Sequence, residues 1–237
     1  MSVLGHLEEL RTRLFKMLLA FGVGCIAAWF FYEDILHFLI QPLKQLPVAE
    51  QIISQGNLIF TAPTEAFFIR LKITAFAGFV LALPVILWQL WRFVTPGLHR
   101  KEKRYAIPFV FVSMVLFCAG VAFAFTTLPR ALDFLASFSG TELVLLPRAS
   151  EYLSFVLILI AGFGVTFEFP LVLLALTLIG VVSSQKLRRV RKVAYVTILI
   201  VAAIVTPTQD PVTLMMMSVP LGLLYEATIL VARLMKK

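Results

Sequence analysis

Three carboxylates occupy positions where their charge could do chemistry, and Glu168 is the first of them. It is the only charged residue in the apolar run at 152–182. A carboxylate near the centre of a bilayer costs a few kcal/mol or more, so such groups usually face a protein interior or a wet cavity. Glu168 is therefore a candidate intramembrane polar site, which could carry protons or contact an inserted segment.

The other two carboxylates, Glu9 and Glu102, lie next to basic residues outside the apolar runs. Glu9 stands four residues before Arg13, at the spacing of an ion pair on an exposed helix face. Glu102 is surrounded by four basic residues, which favour its ionised form and its ability to accept a cation. Both acids could also be ordinary solvated charges.

The elements that must position these acids are membrane helices. The 237 residues are 60% hydrophobic and only 14% charged, with a mean hydropathy of +0.96. Soluble domains are nearer half apolar and a quarter charged. The apolar runs predict an all-α integral membrane protein that forms a single polytopic domain over 1–237. Its six transmembrane helices are expected at about 14–31, 67–90, 107–128, 152–182, 193–205 and 212–232.

The fifth and sixth spans are predicted to form a short hairpin around the turn at 206–211, which should thin the adjacent bilayer. Residues 61–65 read as a helix start, with Pro63 early and Glu65 in the first turn. The segment at 41–56 suggests a short interfacial helix. Leu7, Leu10 and Leu14 follow helical spacing and predict an amphipathic helix that runs into the first span.

Orientation follows from the positions of the basic residues. Most of the 21 Lys and Arg precede the first span, follow the sixth, or lie in the loops after the second and fourth spans. This distribution predicts that both termini are cytoplasmic. It also explains the net charge of +8 without a nucleic-acid partner. The three histidines and two cysteines have no metal-ligand spacing, and no phosphate-binding loop occurs, so neither a metal nor a cofactor is expected.

Four motifs together resemble the TatC family, the multi-spanning subunit of the twin-arginine protein translocase. They are His-Leu-Glu-Glu-Leu-Arg at 6–11, Phe-Val-Thr-Pro-Gly-Leu at 93–98, Phe-Glu-Phe-Pro at 167–170, and Thr-Pro at 206–207 followed by Asp210. Each motif is weak alone, but their shared order is specific. The resemblance covers essentially the whole chain.

The resemblance implies a receptor and scaffold rather than an enzyme, with its spans in a concave, glove-like arrangement. It would bind twin-arginine signal peptides and use the proton-motive force to move folded proteins across the cytoplasmic membrane. Its implied partners are single-span TatA/TatB-type subunits and further copies of itself within the lipid bilayer. Signal-peptide binding is expected at Glu9 and Glu102, with Arg11 and Phe93 shaping the site. Partner contact is expected at Thr206, with Gln209 and Thr213 as approximate candidates.

Two other classes of function are compatible with parts of the sequence. A proton-coupled secondary transporter of a small solute could use Glu168, with helices broken at Pro170 and Pro220. The chain has no evident inverted repeat to support that reading. An intramembrane enzyme acting on lipid would need a nucleophile and a base, and no such pair is recognisable.

Overall fold

The structure, a computed structural model, describes residues 3–44, 58, 62–94, 106–137, 148–206 and 211–234. All the regular secondary structure longer than one residue in these ranges is helical. The helices are α1 (Val3–Phe30), α2 (Tyr32–Lys44), α3 (Glu65–Val94), α4 (Ala106–Ser137), α5 (Ala149–Leu178), α6 (Ser184–Arg189), α7 (Arg191–Val205) and α8 (Pro211–Leu234).

Five of the helices in the described ranges are long and apolar enough to cross a membrane, judged by length and composition. These are α1, α3, α4, α5 and α8. The predicted fifth span at 193–205 lies in α7, which has only 15 residues. At 1.5 Å per residue, α7 rises about 22 Å, which is short of a bilayer's hydrocarbon core of about 30 Å.

The predicted fourth span extends too far, because α5 ends at Leu178 rather than Val182. Gly180 adopts a left-handed backbone with φ of 78°. The N–H of Gly180 donates to the Thr177 carbonyl and that of Val181 donates to the Leu176 carbonyl. This pair of bonds is the Schellman motif, which closes a helix end. Hydropathy alone does not detect it, since the residues beyond the turn are also apolar.

Two predictions concern the segments before α3. Helix α2 lies at Tyr32–Lys44, mostly ahead of the interfacial helix expected at 41–56. Glu33 and Asp34 occupy its first turn and Lys44 its last, which matches the helix dipole. Helix α3 begins at Glu65, so Glu65 lies in its first turn as predicted, and Pro63 precedes the helix by two residues. Of the predicted interfacial segment, the part beyond Lys44 lies outside the described residues.

The chain forms two compact units. The first comprises Met1–Ile35 and Arg70–Val115. In it the backbones of α1 and α3 come into contact, since a Cβ added to Gly78 would lie 2.6 Å from the Cys25 nitrogen. The Arg70 guanidinium stacks on two rings, with its carbon 4.3 Å from the Trp29 centroid and 4.8 Å from that of Tyr32. Burial raises the pKa of Tyr32, as does Glu33, while Arg70 opposes them.

The second unit comprises Leu36–Ile69 and Leu116–Lys237. Helix α5 lies at its centre and packs against α7 and α8. Phe163 is fully buried, and its ring centroid lies 5.9 Å from that of Phe123 on α4. A Cβ added to Gly120 would lie 2.7 Å from the Phe163 carbonyl oxygen, so small residues bring α4 and α5 together. The Tyr152 hydroxyl donates to the Leu39 carbonyl at 3.0 Å and fixes α2 to the start of α5.

Candidate functional site

Glu9 forms part of a polar cluster on the first unit. Its Oε1 accepts hydrogen bonds from Arg13 Nε at 3.1 Å and from Arg13 Nη2. Arg13 Nη1 also approaches Gln89 Oε1 on α3 at 3.5 Å, the outer limit of a hydrogen bond. We call Glu9, Arg13 and Gln89 the α1–α3 polar cluster. The i,i+4 pair predicted from sequence is present, but it faces another helix rather than solvent.

The leucine face of α1 points the opposite way from the cluster. Leu7, Leu10 and Leu14 are exposed, whereas the side chains of Glu9 and Arg13 are only 20% and 12% exposed. This is the reverse of a soluble amphipathic helix, which buries its apolar stripe. In a membrane protein the apolar face contacts lipid, and polar side chains turn toward protein. The environment of Glu9 is therefore protein on one side and a cavity on the other.

The cavity beside Glu9 has a volume of about 350 Å³. Two acids and three bases line it together with Gly5 and Thr12; the charged residues are Glu8, Glu9, Arg13, Lys16 and Arg92. Arg11 instead borders a different groove, together with Glu8 and Phe15. Phe93 is half-buried at the end of α3. The structure thus separates Arg11 from the Glu9 cavity, as expected for helix residues two apart. Glu102 lies outside the described residues.

Glu168 lies on α5 between two phenylalanines that point in different directions. Phe167 is buried, and its ring centroid lies 5.9 Å from that of Phe123, while Phe169 is exposed. Glu168 itself is half-buried. It therefore stands at the edge of the packed core of the second unit rather than inside it.

The predicted partner-contact residues are buried where the structure describes them. Thr206 is 2% exposed and its hydroxyl donates to the Ala202 carbonyl at 2.8 Å, within the last turn of α7. Thr213 on α8 is 1% exposed. Gln209 lies outside the described residues. A partner that reaches this hairpin would meet neighbouring side chains before it met Thr206 or Thr213.

Sequence reasoning missed a second polar cluster, at one end of α7 and α8. Glu226 accepts hydrogen bonds from Arg191 Nη2 at 2.6 Å and from the Tyr195 hydroxyl at 2.7 Å. The i,i+4 spacing of Arg191 and Tyr195, with an isolated carboxylate in the final apolar run, was the available signal. The pairing joins residues more than thirty positions apart in sequence, so local periodicity could not assign it.

Sequence reasoning placed Glu65 in the first turn of α3 but missed that its carboxylate links two helix starts in the second unit. It is 8% exposed, and its Oε1 accepts the Ser150 backbone N–H at 3.0 Å. Its Oε2 lies 3.4 Å from the Ala62 nitrogen. The carboxylate therefore caps the beginning of α5 while standing in the first turn of α3.

Comparisons with known proteins agree on one family. A family model described as Sec-independent protein translocase protein (TatC) matches residues 5–220. A TatC protein of Aquifex aeolicus is 41% identical, over 99% of this chain and 95% of its own length. One from Frankia casuarinae is 40% identical over 98% of this chain, which spans only 65% of that longer relative.

Solved structures agree with the sequence matches. A crystal structure of the twin arginine translocase receptor TatC in the detergent DDM has a TM-score of 0.81 and 39% identity to this chain. The match covers 96% of this chain and 99% of that one. A family match over most of the chain, together with relatives of about 40% identity, establishes that this multi-pass helical membrane protein belongs to the TatC family of Sec-independent protein translocase components.

Proposed function

We propose that this protein is the twin-arginine signal-peptide receptor and core scaffold of a translocase that exports folded proteins, driven by the proton-motive force. Membership of the TatC family and the receptor named in the matched crystal structure support this role. In this role the protein binds and positions other proteins and catalyses no covalent step. The proton-coupled carrier finds no support among the relatives.

The observation that carries the proposal is Glu9, held at the edge of a cavity by Arg13. A carboxylate offers about four acceptor sites, so Glu9 can hold Arg13 and receive an incoming guanidinium as well. Guanidinium–carboxylate pairs are directional and often bidentate, which suits recognition of arginine over lysine. The partial burial of Glu9 strengthens such a pair relative to one in water.

Selectivity in this site arises from repulsion as well as attraction. Arg13, Lys16 and Arg92 line the same cavity as Glu9. Their charges repel most cationic segments, so only a peptide whose arginines reach the carboxylates can bind. We assign Glu102 as the second carboxylate, with Arg11 and Phe93 shaping the surface around the pair.

The wider assembly belongs to the same proposal. The chain lies in the cytoplasmic membrane with six spans and both termini in the cytoplasm, α7 being the short fifth span. Thr206, Gln209 and Thr213 mark the hairpin that contacts single-span TatA/TatB-type subunits, and several copies of the chain form the complex. The basic loops predicted from sequence support this orientation.

Site-specific photocrosslinking tests the receptor assignment. A photoreactive residue at position 102 should crosslink to a twin-arginine precursor and lose that product when the precursor carries twin lysine. Glu9→Ala should weaken crosslinking of the same precursor to a photoreactive residue placed next to position 9. Glu8→Gln is the matched control, because Glu8 lines the same cavity and makes no ion pair within the described residues. Unchanged crosslinking and export in the double variant of Glu9 and Glu102 would overturn the assignment.

A further inference from the structure

A basic cavity at one end of α6, α7 and α8 has no role in signal-peptide recognition as proposed above. Its volume is about 370 Å³, and its walls include Arg188, Arg191, Glu226, Leu230 and Arg233. The three arginines come from three different helices. Basic residues that only set the orientation of a membrane protein need not converge on one cavity. The convergence of these three therefore suggests a further role.

The charges in this cavity are only partly compensated. Glu226 is paired with Arg191 at 2.6 Å. Within the part of the chain that the structure describes, neither Arg188 nor Arg233 lies in an ion pair. Three arginines and one glutamate leave a net charge of +2, so the cavity favours an anion.

The arginines are held on a rigid frame. The buried Tyr225 hydroxyl donates to the Leu187 carbonyl at 2.8 Å, which fixes α6 against α8 directly beside Arg188. The Ser183 side chain accepts the Lys186 N–H at 3.2 Å and caps the start of α6. A guanidinium that is already positioned loses less entropy when it binds, and its planar donors match phosphate oxygens.

Exposed apolar side chains continue from the charged rim. Leu230 is 59% exposed and lies in the cavity wall, and Leu223, seven residues earlier and therefore on the same face of α8, is also exposed. The cavity therefore places guanidinium groups at the helix ends, next to an exposed apolar surface. A lipid has that same arrangement, with a phosphate above its acyl chains.

We propose that this cavity binds the phosphate group of an anionic phospholipid, with Arg188 and Arg233 as its direct contacts and Arg191 held between them by Glu226. The acyl chains lie along Leu230 and Leu223. The bound lipid holds the start of α7 and the end of α8 next to each other, at the open end of the short hairpin. This inference needs the chain to lie in a membrane but is independent of signal-peptide binding.

Lipid titration of the purified full chain tests the proposal. In neutral detergent, phosphatidylglycerol should bind and raise the melting temperature, because a ligand of the native state stabilises it. Phosphatidylcholine should have little effect. The variant R188Q/R233Q should bind phosphatidylglycerol at least about tenfold more weakly, because it removes both direct contacts with the lipid phosphate.

The matched control is R189Q/K192Q, which removes the same two charges from exposed neighbours that do not line the cavity. It should bind within about twofold of the parent, as expected for surface charges outside the contact. Equal losses in the two double variants would overturn the proposal, because binding would then follow net charge alone. Displacement of the lipid by millimolar glycerol phosphate would identify a site for free anions and would also overturn it.

A second measurement needs no variant. Phenylglyoxal modifies accessible arginines, and peptide mass spectrometry can locate the products in the unaltered chain. Phosphatidylglycerol should protect Arg188 and Arg233 but leave Arg189 reactive. Equal protection of all three would contradict a site at this cavity.

Discussion

Replacing Glu65 should destabilise the second unit more than replacing Glu151, the other carboxylate near the start of α5. The Arg148 residue that precedes α5 provides no side-chain cap, so Glu65 supplies it from α3. Removing the carboxylate leaves the half-buried Ser150 N–H without its acceptor. An orphaned buried donor costs about 1–3 kcal/mol, and loss of a helix cap costs about 0.5–2 kcal/mol. These two figures describe the same bond and are not added.

We therefore expect Glu65→Ala to cost about 2 kcal/mol, allowing a small further loss for the long contact with Ala62. For a chain of this size, that corresponds to a fall in Tm of roughly 4–8 °C. Glu65→Gln keeps one acceptor oxygen and loses the charge, so it should fall about half as far. Circular dichroism of the purified full chain during heating measures both shifts.

Glu151→Gln is the control for this experiment. Glu151 lies in the first turn of α5 as well, but it is 70% exposed and paired only with the exposed Arg148 within the described residues. Exposed pairs contribute about 0–1 kcal/mol, so its melting temperature should barely change. A Glu65→Ala protein that melts with the parent would refute the reasoning, as would an equal loss in Glu151→Gln.

Three further predictions concern packing, charge and span length. Gly78→Ala should lower the free energy of unfolding by about 1–3 kcal/mol, because the added methyl forces α1 and α3 apart. Gly22→Ala is the control, since nothing lies within 4 Å of its added Cβ. Equal melting temperatures of the two variants would contradict this. Glu168→Gln should largely retain export of a twin-arginine precursor, and complete loss would instead indicate a proton relay. Lengthening α7 by one turn of leucines should impair export by relieving bilayer thinning; normal export by a stably inserted variant would count against thinning.

Much of the fold could be predicted because its signals are local. Runs of apolar residues predict membrane helices from composition alone, and the matched family confirmed the helical membrane class. The spacing of Glu9 and Arg13 also predicted their pair. The end of α5 was wrong by four residues, because the Schellman turn at Gly180 depends on backbone conformation, while the sequence there stays apolar.

The orientation of helix faces was less predictable. Leu7, Leu10 and Leu14 form a stripe that sequence alone would turn inward, yet they are exposed, and the charged pair faces Gln89. In water an apolar stripe points to the core because burial is favourable there. In a bilayer the lipid is as apolar as the core, so hydrophobicity does not distinguish the two faces.

Sequence by itself determined that the chain is helical, that it belongs in a membrane, and which carboxylates are unusual. Only the tertiary structure showed which carboxylates join distant parts of the chain. Glu65 caps a helix 85 residues away, and Glu226 binds an arginine 35 residues before it. Hydrogen bonds need atoms within about 3 Å, and that proximity comes from how helices pack. Small residues such as Gly78 and Gly120 set the packing, and their role becomes visible only when the neighbouring backbone is in place.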